Sequence, residues 1–343
     1  MIKIMVVDDS SFMRQIFKKT IEKDPNMTVI TTAGDGLEAL EKLEEYQVDV
    51  ITLDIDMPVK NGLSTLKEIM KFDKPIPTIM VSAMDDKETV MKALELGAFD
   101  FIPKPSGSIS LTIDEIADNL REKINATANM KNKPYCNIKP ITPYKDKISK
   151  KRPGSKYPII VIGTSSGGPK ALSALLPVFP ADIPAAILIV QHMPAGFTAS
   201  FANRLNQESS IQIKEAQEGD KIAPGLALIA PGDYHMEVNS DGKVELKQSA
   251  KKWSVRPSAD FTLISAAENF KERVIGVILT GMGYDGSDGM KAVKKHGGYG
   301  LVEDESTALV YGMPGSTIKA NAYDEILPLH QIPFKIIDLL ERS

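Results

Sequence analysis

Residues 162–169 read IGTSSGGP. They follow an apolar run, 157–162, and precede a helix-like stretch, 170–176. A strand, a Gly-rich turn and a helix in succession form the opening unit of a parallel α/β sheet. The turn admits two chemistries. Gly163-Thr164-Ser165-Ser166-Gly167 fits G-x-S-x-G, which often holds a nucleophilic serine. A Gly-rich turn that opens a helix also cradles phosphate. The phosphate reading lacks the lysine of G-x-x-x-x-G-K-[ST], and Gly167-Gly168-Pro169 does not complete G-x-G-x-x-G.

The alternation of strand and helix extends outward from this turn. Apolar strand-like runs precede it at 2–7, 28–33, 48–53, 78–81 and 100–102. Helical stretches lie between them, for example 36–46 and 87–96, and an amphipathic stretch at 111–124 closes this half. After the turn the pattern recurs with longer spacing, at 186–190, 226–230 and 274–279. HMEV and KVEL flank NSDG there, a strong hairpin signal. The expected fold is α/β: two doubly wound parallel-sheet domains, the second a Rossmann-like three-layer domain carrying a β-hairpin.

Between the halves, residues 131–156 hold nine Lys/Arg against one Asp, and four prolines, with no helical or strand period. That composition marks a solvated tether. The expected organisation is a domain over 1–125, a basic Pro-containing linker over 126–156 and a second domain over 157–343. With 343 residues the chain can build two cores, and a net charge of −4 gives no general reason to expect nucleic acid. One cysteine, Cys136, rules out an internal disulfide framework. The N-terminus, MIKIMVVDDS, is too short and acidic for a secretory signal, and no apolar run approaches a membrane span. A cytoplasmic location without membrane insertion is expected.

In an open parallel sheet, ligands bind beyond the carboxyl ends of the strands. Asp8 and Asp9 follow the first strand of the first half, Asp54 the third, Ser82 the fourth and Lys104 the fifth. Singly, each reads as a cap or a surface residue; together, polar groups from four strands converge on one edge. Clustered carboxylates repel unless a cation sits among them, and short acids suit Mg²⁺. A carboxylate beside Mg²⁺ can attack a phosphoryl group, with lysine and a serine hydroxyl assisting. A cis Lys104–Pro105 bond would help to aim the lysine inward.

VVDDS, TLDIDMPVKNG, MVSAM and FIPKPSG resemble the motifs of two-component response-regulator receiver domains, which are flavodoxin-like. The resemblance covers roughly residues 1–125. It implies Asp54 as the phospho-acceptor, charged by a histidine kinase. It implies Asp8, Asp9 and Asp54 around Mg²⁺, with the Asp56 carbonyl as a further ligand. Ser82 and Lys104 would contact the phosphoryl group. Phe101 would be the switch aromatic, although plain core packing accounts for it equally well.

In the second half, a serine needs a base. His192 ends a strand in VQHMP, at the same edge as the serine turn. His235 opens the hairpin, His296 sits late in a helical stretch and His330 lies among prolines. The orienting acid is expected from GMGYDGSDG, which holds Asp285 and Asp288 after the strand at 274–279; one of the two is expected only to cap a helix. Its glycines leave main-chain N–H groups available for an oxyanion site. The order Ser165, His192, Asp285 is not that of α/β-hydrolases, but a triad is recognised by roles.

IGTSSGGP, VQHMP, LIAPGDYHMEV and LTGMGYDGSDG together resemble the catalytic domain of the chemotaxis protein-glutamate methylesterases, the CheB family. With the receiver in front, the resemblance spans nearly the whole chain. It implies Ser165 as nucleophile, His192 as general base and acid, and Asp285 as the orienting group. It implies Ser166 and the Met282 N–H as oxyanion contacts, and no cofactor in this domain. Val255 stands where the family often has histidine, and Arg256 is left for a structural role or for an acidic receptor surface. The implied reaction demethylates glutamyl esters on the cytoplasmic helical region of chemoreceptors. It would deamidate glutamine by the same steps. The domain order implies that phosphorylation of Asp54 relieves inhibition by the receiver. The competing reading is a receiver with a nucleotide- or effector-binding output.

Overall fold

The computed structural model describes residues 1–83, 86–104, 109–128, 141–144 and 156–342, with side chains described for all but 109–117. The chain divides into two compact units, Met1–Asn137 and Ile138–Ser343.

The first unit alternates β1 (Ile2–Val7), α1 (Ser11–Ile21), β2 (Met27–Ala33), α2 (Gly36–Glu45) and β3 (Val50–Asp54). It continues with α3 (Gly62–Ile69), β4 (Thr78–Ser82), α4 (Lys87–Leu96), β5 (Asp100–Pro103) and α5 (Ile109–Ala128). The strands pair in parallel in the order β2-β1-β3-β4-β5. Every residue of β3 and β4 is buried, as a sheet covered on both faces requires. α1 packs beside α5, while α3 packs with α2 and α4. Side chains start the helices: Ser10 accepts from the Met13 N–H, Asp35 from Leu37 and Glu38, and Asn61 from Ser64.

Most of the expected linker, residues 129–140 and 145–155, lies outside the described residues, as does Pro105 of the expected cis bond. The described X–Pro cis bond is Arg256–Pro257. Tyr144 donates its backbone N–H to the Val178 carbonyl at 3.0 Å.

The second unit opens with β6 (Ile159–Thr164), α6 (Gly168–Leu175), β7 (Ala186–Gln191), α7 (Phe197–Glu208), β8 (Gln212–Glu215) and β9 (Leu226–Ile229). The hairpin β10 (His235–Val238) and β11 (Val244–Lys247) follows. Then come α8 (Ala259–Phe270), β12 (Val274–Ile278), α9 (Ser287–Lys295), β13 (Tyr299–Glu303), α10 (Gly312–Lys319), β14 (Glu325–Leu327) and α11 (Ile332–Arg342). Seven strands pair in parallel in the order β14-β13-β12-β6-β7-β9-β8. The core joins Val161, Leu188 and Val190 of the sheet to Leu263 and Ala266 of α8 and to Met236, Val238 and Val244 of the hairpin. Burial of this apolar surface is the main drive for folding the unit.

Strand order reverses at the first strand of each sheet, and in the second sheet again at its β9-β8 edge. In the first, β1 is flanked by β2 on one side and β3 on the other; in the second, β6 is flanked by β7 and β12. Chains leaving such neighbours depart to opposite faces, so a crevice opens beyond their carboxyl ends. Among the described residues no helix is long and apolar enough to cross a membrane.

Candidate functional site

The first crevice gathers Asp8 and Asp9, just past β1, with Asp54, the last residue of β3; one carboxylate oxygen of each lies within 4.8 Å of the others. Asp8 and Asp54 are buried and Asp9 is exposed. Lys104, one residue past β5, reaches Asp54 Oδ2 at 2.7 Å and Asp8 Oδ2 at 3.3 Å. Burial raises the Asp54 pKa to about 6, against the pull of the Lys104 hydrogen bond. Burial likewise raises Asp8, again opposed by Lys104. Two buried carboxylates that bind protons too readily, with hard oxygen atoms on one side, fit a small divalent cation.

The backbone is arranged for this cluster. The Asp8 carboxylate accepts the Ser10 N–H at 2.9 Å, and its carbonyl accepts Arg14 Nη1 at 2.6 Å. Gly62 lies against the Asp54 carbonyl so closely that a Cβ would sit 2.1 Å from that oxygen. Ser82, at the end of β4, is buried and donates its hydroxyl to the Ala83 carbonyl at 2.9 Å. Asp56 is exposed in the loop after β3. Phe101 is packed inside, 5% exposed, which is what core packing asks of it.

The second crevice brings together the ends of β6, β7 and β12. Ser165 follows β6 and is half-buried. His192 follows β7, and its backbone N–H reaches the Thr164 carbonyl at 3.2 Å, which ties it to the serine turn. His192 Nε2 lies 2.7 Å from Asp285 Oδ2. Ser165 Oγ makes no hydrogen bond to the imidazole among the described residues. Apo hydrogen bonds of this kind often form only with substrate.

Asp285 is 2% exposed and caps α8 from outside the helix. Its Oδ2 accepts the Ala259 N–H at 2.6 Å; its Oδ1 accepts the Asp260 N–H at 3.1 Å and the Ser258 hydroxyl at 2.6 Å. Burial alone would raise its pKa, but hydrogen bonds from His192, Ser258 and Ala259 outweigh burial and hold it at about 2. A helix N-terminus aimed at a carboxylate acts in the same sense. Asp288 lies apart from the imidazole, in the first turn of α9, paired with Lys252 and Lys291 at 3.1 Å each. Of the two aspartates in that turn, only Asp285 reaches the histidine.

The turn after β12 folds back on the serine. A Cβ on Gly281 would stand 3.0 Å from both Ser165 Cβ and Ser165 N, so a larger residue would press on the serine turn. The next residue, Met282, is half-buried, and its N–H donates to nothing among the described residues. Ser166 is buried, and its carbonyl accepts the Thr280 hydroxyl at 2.9 Å.

Sequence reasoning missed several supporting residues. Thr280 joins three loops: its carbonyl accepts Ser165 N–H at 3.1 Å and Thr164 Oγ1 at 2.7 Å, while its Oγ1 accepts the Val310 N–H at 2.9 Å. Its own N–H goes to Glu303, a fully buried carboxylate, at 2.7 Å. Gln191 Nε2 donates to the carbonyls of Ser165 and His192 at 3.1 Å each. The only available signal was position, since these residues are polar and stand at strand ends. Arg256 takes the structural option: it binds Asp233 Oδ1 at 2.6 Å and the Ser249 carbonyl at 2.7 Å. His235 is buried against Phe261, His296 closes α9 on the Ala292 carbonyl, and His330 is exposed.

A receiver-like sheet followed by a second sheet that opens on a serine turn is the build of a response regulator with an enzymatic output. Residues 4–114 match the response regulator receiver domain, and residues 160–336 match the family described as CheB methylesterase. A protein-glutamate methylesterase/protein-glutamine glutaminase of Thermotoga maritima is 45% identical, over 99% of this chain and 98% of that protein. One from Pyrococcus horikoshii is 44% identical, over 99% of this chain and 94% of its own length. The crystal structure of the Thermotoga maritima CheB methylesterase catalytic domain covers 54% of this chain and 100% of that one, at 47% identity and a TM-score of 0.53. The chain belongs to the CheB methylesterase family.

Proposed function

We infer that this protein is a phosphorylation-activated protein-glutamate methylesterase that also deamidates glutamine side chains. The observation that carries the reading is the His192–Asp285 pair at 2.7 Å, set beside a serine turn that Gly281 closes from above. The substrate is the cytoplasmic helical region of methylated chemoreceptors, and the protein works in the cytoplasm.

Asp285 occupies Nε2 of His192, so Nδ1 is the ring nitrogen left to serve Ser165. Ser165 Oγ attacks the side-chain ester carbonyl and its proton passes to Nδ1. The Asp285 carboxylate, ionised down to about pH 2, stabilises the imidazolium that forms. The oxyanion is received by the Met282 N–H and by Ser166. The C–O bond to methoxide breaks as Nδ1–H delivers the proton, and methanol leaves. Water then attacks the acyl-enzyme and gives its proton to Nδ1, and as the acyl C–O bond breaks Nδ1–H returns that proton to Ser165 Oγ, releasing glutamate. With glutamine, ammonia takes the place of methanol.

Asp54 is the phospho-acceptor, charged by a histidine kinase. Asp8, Asp9 and Asp54, with the Asp56 carbonyl, would hold Mg²⁺, which supplies positive charge against the incoming phosphoryl group. Lys104 adds a second charge and Ser82 a hydrogen bond, and Phe101 reports the change as the switch aromatic. Phosphorylation shifts the population towards an active state in proportion to how much better it stabilises that state.

The test is methanol release from a methylated chemoreceptor fragment by wild type, Ser165→Ala and Ser166→Ala, with and without a small phosphodonor. Release should vanish in Ser165→Ala, fall partly in Ser166→Ala, and rise with the phosphodonor. Removal of residues 1–140 should abolish the phosphodonor effect. No release from wild type in either condition would overturn the reading.

A further inference from the structure

Trp253 and Tyr284 are two exposed aromatic residues tied to the Asp285 support, Tyr284 as its chain neighbour and Trp253 through Asp260. Trp253 is 47% and Tyr284 62% exposed, and their ring centroids stand 5.6 Å apart. Tyr284 precedes Asp285 in the chain and lies three residues beyond Gly281, which touches Ser165. It is therefore carried on the same short turn that supplies both the orienting acid and the Met282 N–H.

Trp253 is placed at a cost. Lys252 and Val255 form an antiparallel bridge, with hydrogen bonds of 3.2 and 3.0 Å closing a two-residue turn. The turn residues, Trp253 and Ser254, both have positive φ, 54° and 64°. Such turns favour Asn-Gly, and a bulky residue there is an outlier. A strained residue persists only where its surroundings over-determine it. Here they do: Trp253 Nε1 donates to Asp260 Oδ2 at 3.0 Å, and Lys252 Nζ binds the same carboxylate at 2.8 Å. Asp260 is fully buried; its Oδ1 accepts the Gly289 N–H at 2.7 Å, and its own N–H goes to Asp285. The indole is thus pinned, through one buried carboxylate, to the residues that hold the catalytic acid.

The polar rim does not compete with an apolar visitor. Lys252 is neutralised by Asp260 and Asp288 and lies 5.8 Å from the centre of the indole. The two rings stay exposed, and the indole is held in place before any ligand arrives. Rigid aromatic anchors bind at low entropic cost.

We propose that the Trp253–Tyr284 pair is a substrate-docking platform, which receives the aliphatic side chains that flank the glutamyl ester on the receptor helix. On a helix, those neighbours stand three or four positions from the ester, on its own face. The platform rests on the methylesterase reading and gives it specificity: a small ester has nothing to place there, whereas a helix does.

The experiment compares kcat/KM for the methylated chemoreceptor fragment with that for methyl acetate, which has no group to set on the rings, in full-length wild type, Trp253→Ala, Trp253→Phe and Tyr284→Ala. The receptor-to-small-ester ratio should fall at least tenfold in both alanine variants, and Trp253→Phe, which keeps an aromatic face but not the bond to Asp260, should restore part of it. Tyr284→Ala leaves the Asp260 contacts intact, so a misfolded Trp253 variant cannot decide the outcome alone. A ratio within twofold of wild type overturns the platform, and so does a parallel loss on both substrates, which would make the pair a support for Asp285. A wild type that hydrolyses methyl acetate but releases no methanol from the receptor overturns the methylesterase reading itself.

Discussion

His192 offers Nε2, not Nδ1, to Asp285, across 2.7 Å. The acid that receives it is saturated. Two donors converge on Oδ2, from His192 and Ala259, and two on Oδ1, from Ser258 and Asp260.

An Asp285→Asn variant therefore has no good orientation. Whichever side takes the amide NH2, that group meets donors. Turnover should fall about a thousandfold or more, and unfolding free energy by about 1–3 kcal/mol. His192→Ala should lose turnover comparably with a smaller loss of stability. Methanol release and denaturant melts on the two variants separate these effects; equal stability in both would contradict the saturation argument.

The same carboxylate makes an acid-stability prediction. Its folded pKa of about 2 lies below the ordinary 3.8, so its contribution is complete above pH 3.8 and is lost as pH falls towards 2. The amount is on the order of 2 kcal/mol. Thermal melts of wild type should drop through that window, and those of Asp285→Ala should drop less steeply.

His235 reports on the second layer of this site. Its Nδ1 accepts the Ser258 N–H at 3.2 Å, and its Nε2 faces the Ala250 carbonyl at 3.1 Å. The ring is therefore neutral, with its proton on Nε2. Burial lowers its pKa below 6.5, so its stabilising contribution is full above pH 6.5 and shrinks as pH falls through the folded value. Nitrogen chemical shifts should show that tautomer and a mostly neutral ring at pH 6.5. A mainly protonated ring at that pH would refute it.

Gly281→Ala tests the serine turn. The new methyl group would meet Ser165 and the Met313 sulfur, 2.3 Å from its ideal position. Methionine is flexible and yields, whereas the serine backbone must shift. A displacement of this kind costs about a hundredfold in turnover, with KM changing much less than kcat. Loss through KM alone would count against the close approach.

The central strands were legible because parallel strands covered on both faces are apolar throughout. IKIMVV, VITLD and AILIVQ announce themselves. QIKE and EIL do not: they are β8 and β14 at the two margins of the second sheet, short and half-exposed, with polar residues where one face meets solvent. The triad candidates were legible for a related reason. Each follows a strong strand, and strand ends at a reversal of order must converge. Ser258 gave no comparable signal. It stands before a helix, where serine ordinarily caps its own backbone, yet its hydroxyl is turned to Asp285. Only the fold brings residues 258 and 285 together. Thr280 and Glu303 were hidden likewise, because a buried threonine and glutamate mean little until the loops they join are seen.

The acidic crevice of the first unit makes a metal prediction. Asp54 is 1% exposed, with a pKa raised from 3.8 to about 6. A raised acid favours the folded state below pH 3.8 and costs stability as pH climbs through about 6. At pH 7 the cost is on the order of 3 kcal/mol. Asp54→Asn should therefore raise the melting temperature of the first unit in chelator. Mg²⁺ should stabilise wild type, by about 2.7 kcal/mol at a hundred times its Kd, because it offsets the charge that burial penalises. The variant, having lost a ligand and its charge, should respond much less. Calorimetry of the full chain, with magnesium and with chelator, reads both effects. An equal magnesium shift in wild type and Asp54→Asn would place the ion elsewhere, and a lower melting temperature for the variant in chelator would mean that the Lys104 ion pair outweighs the burial of Asp54.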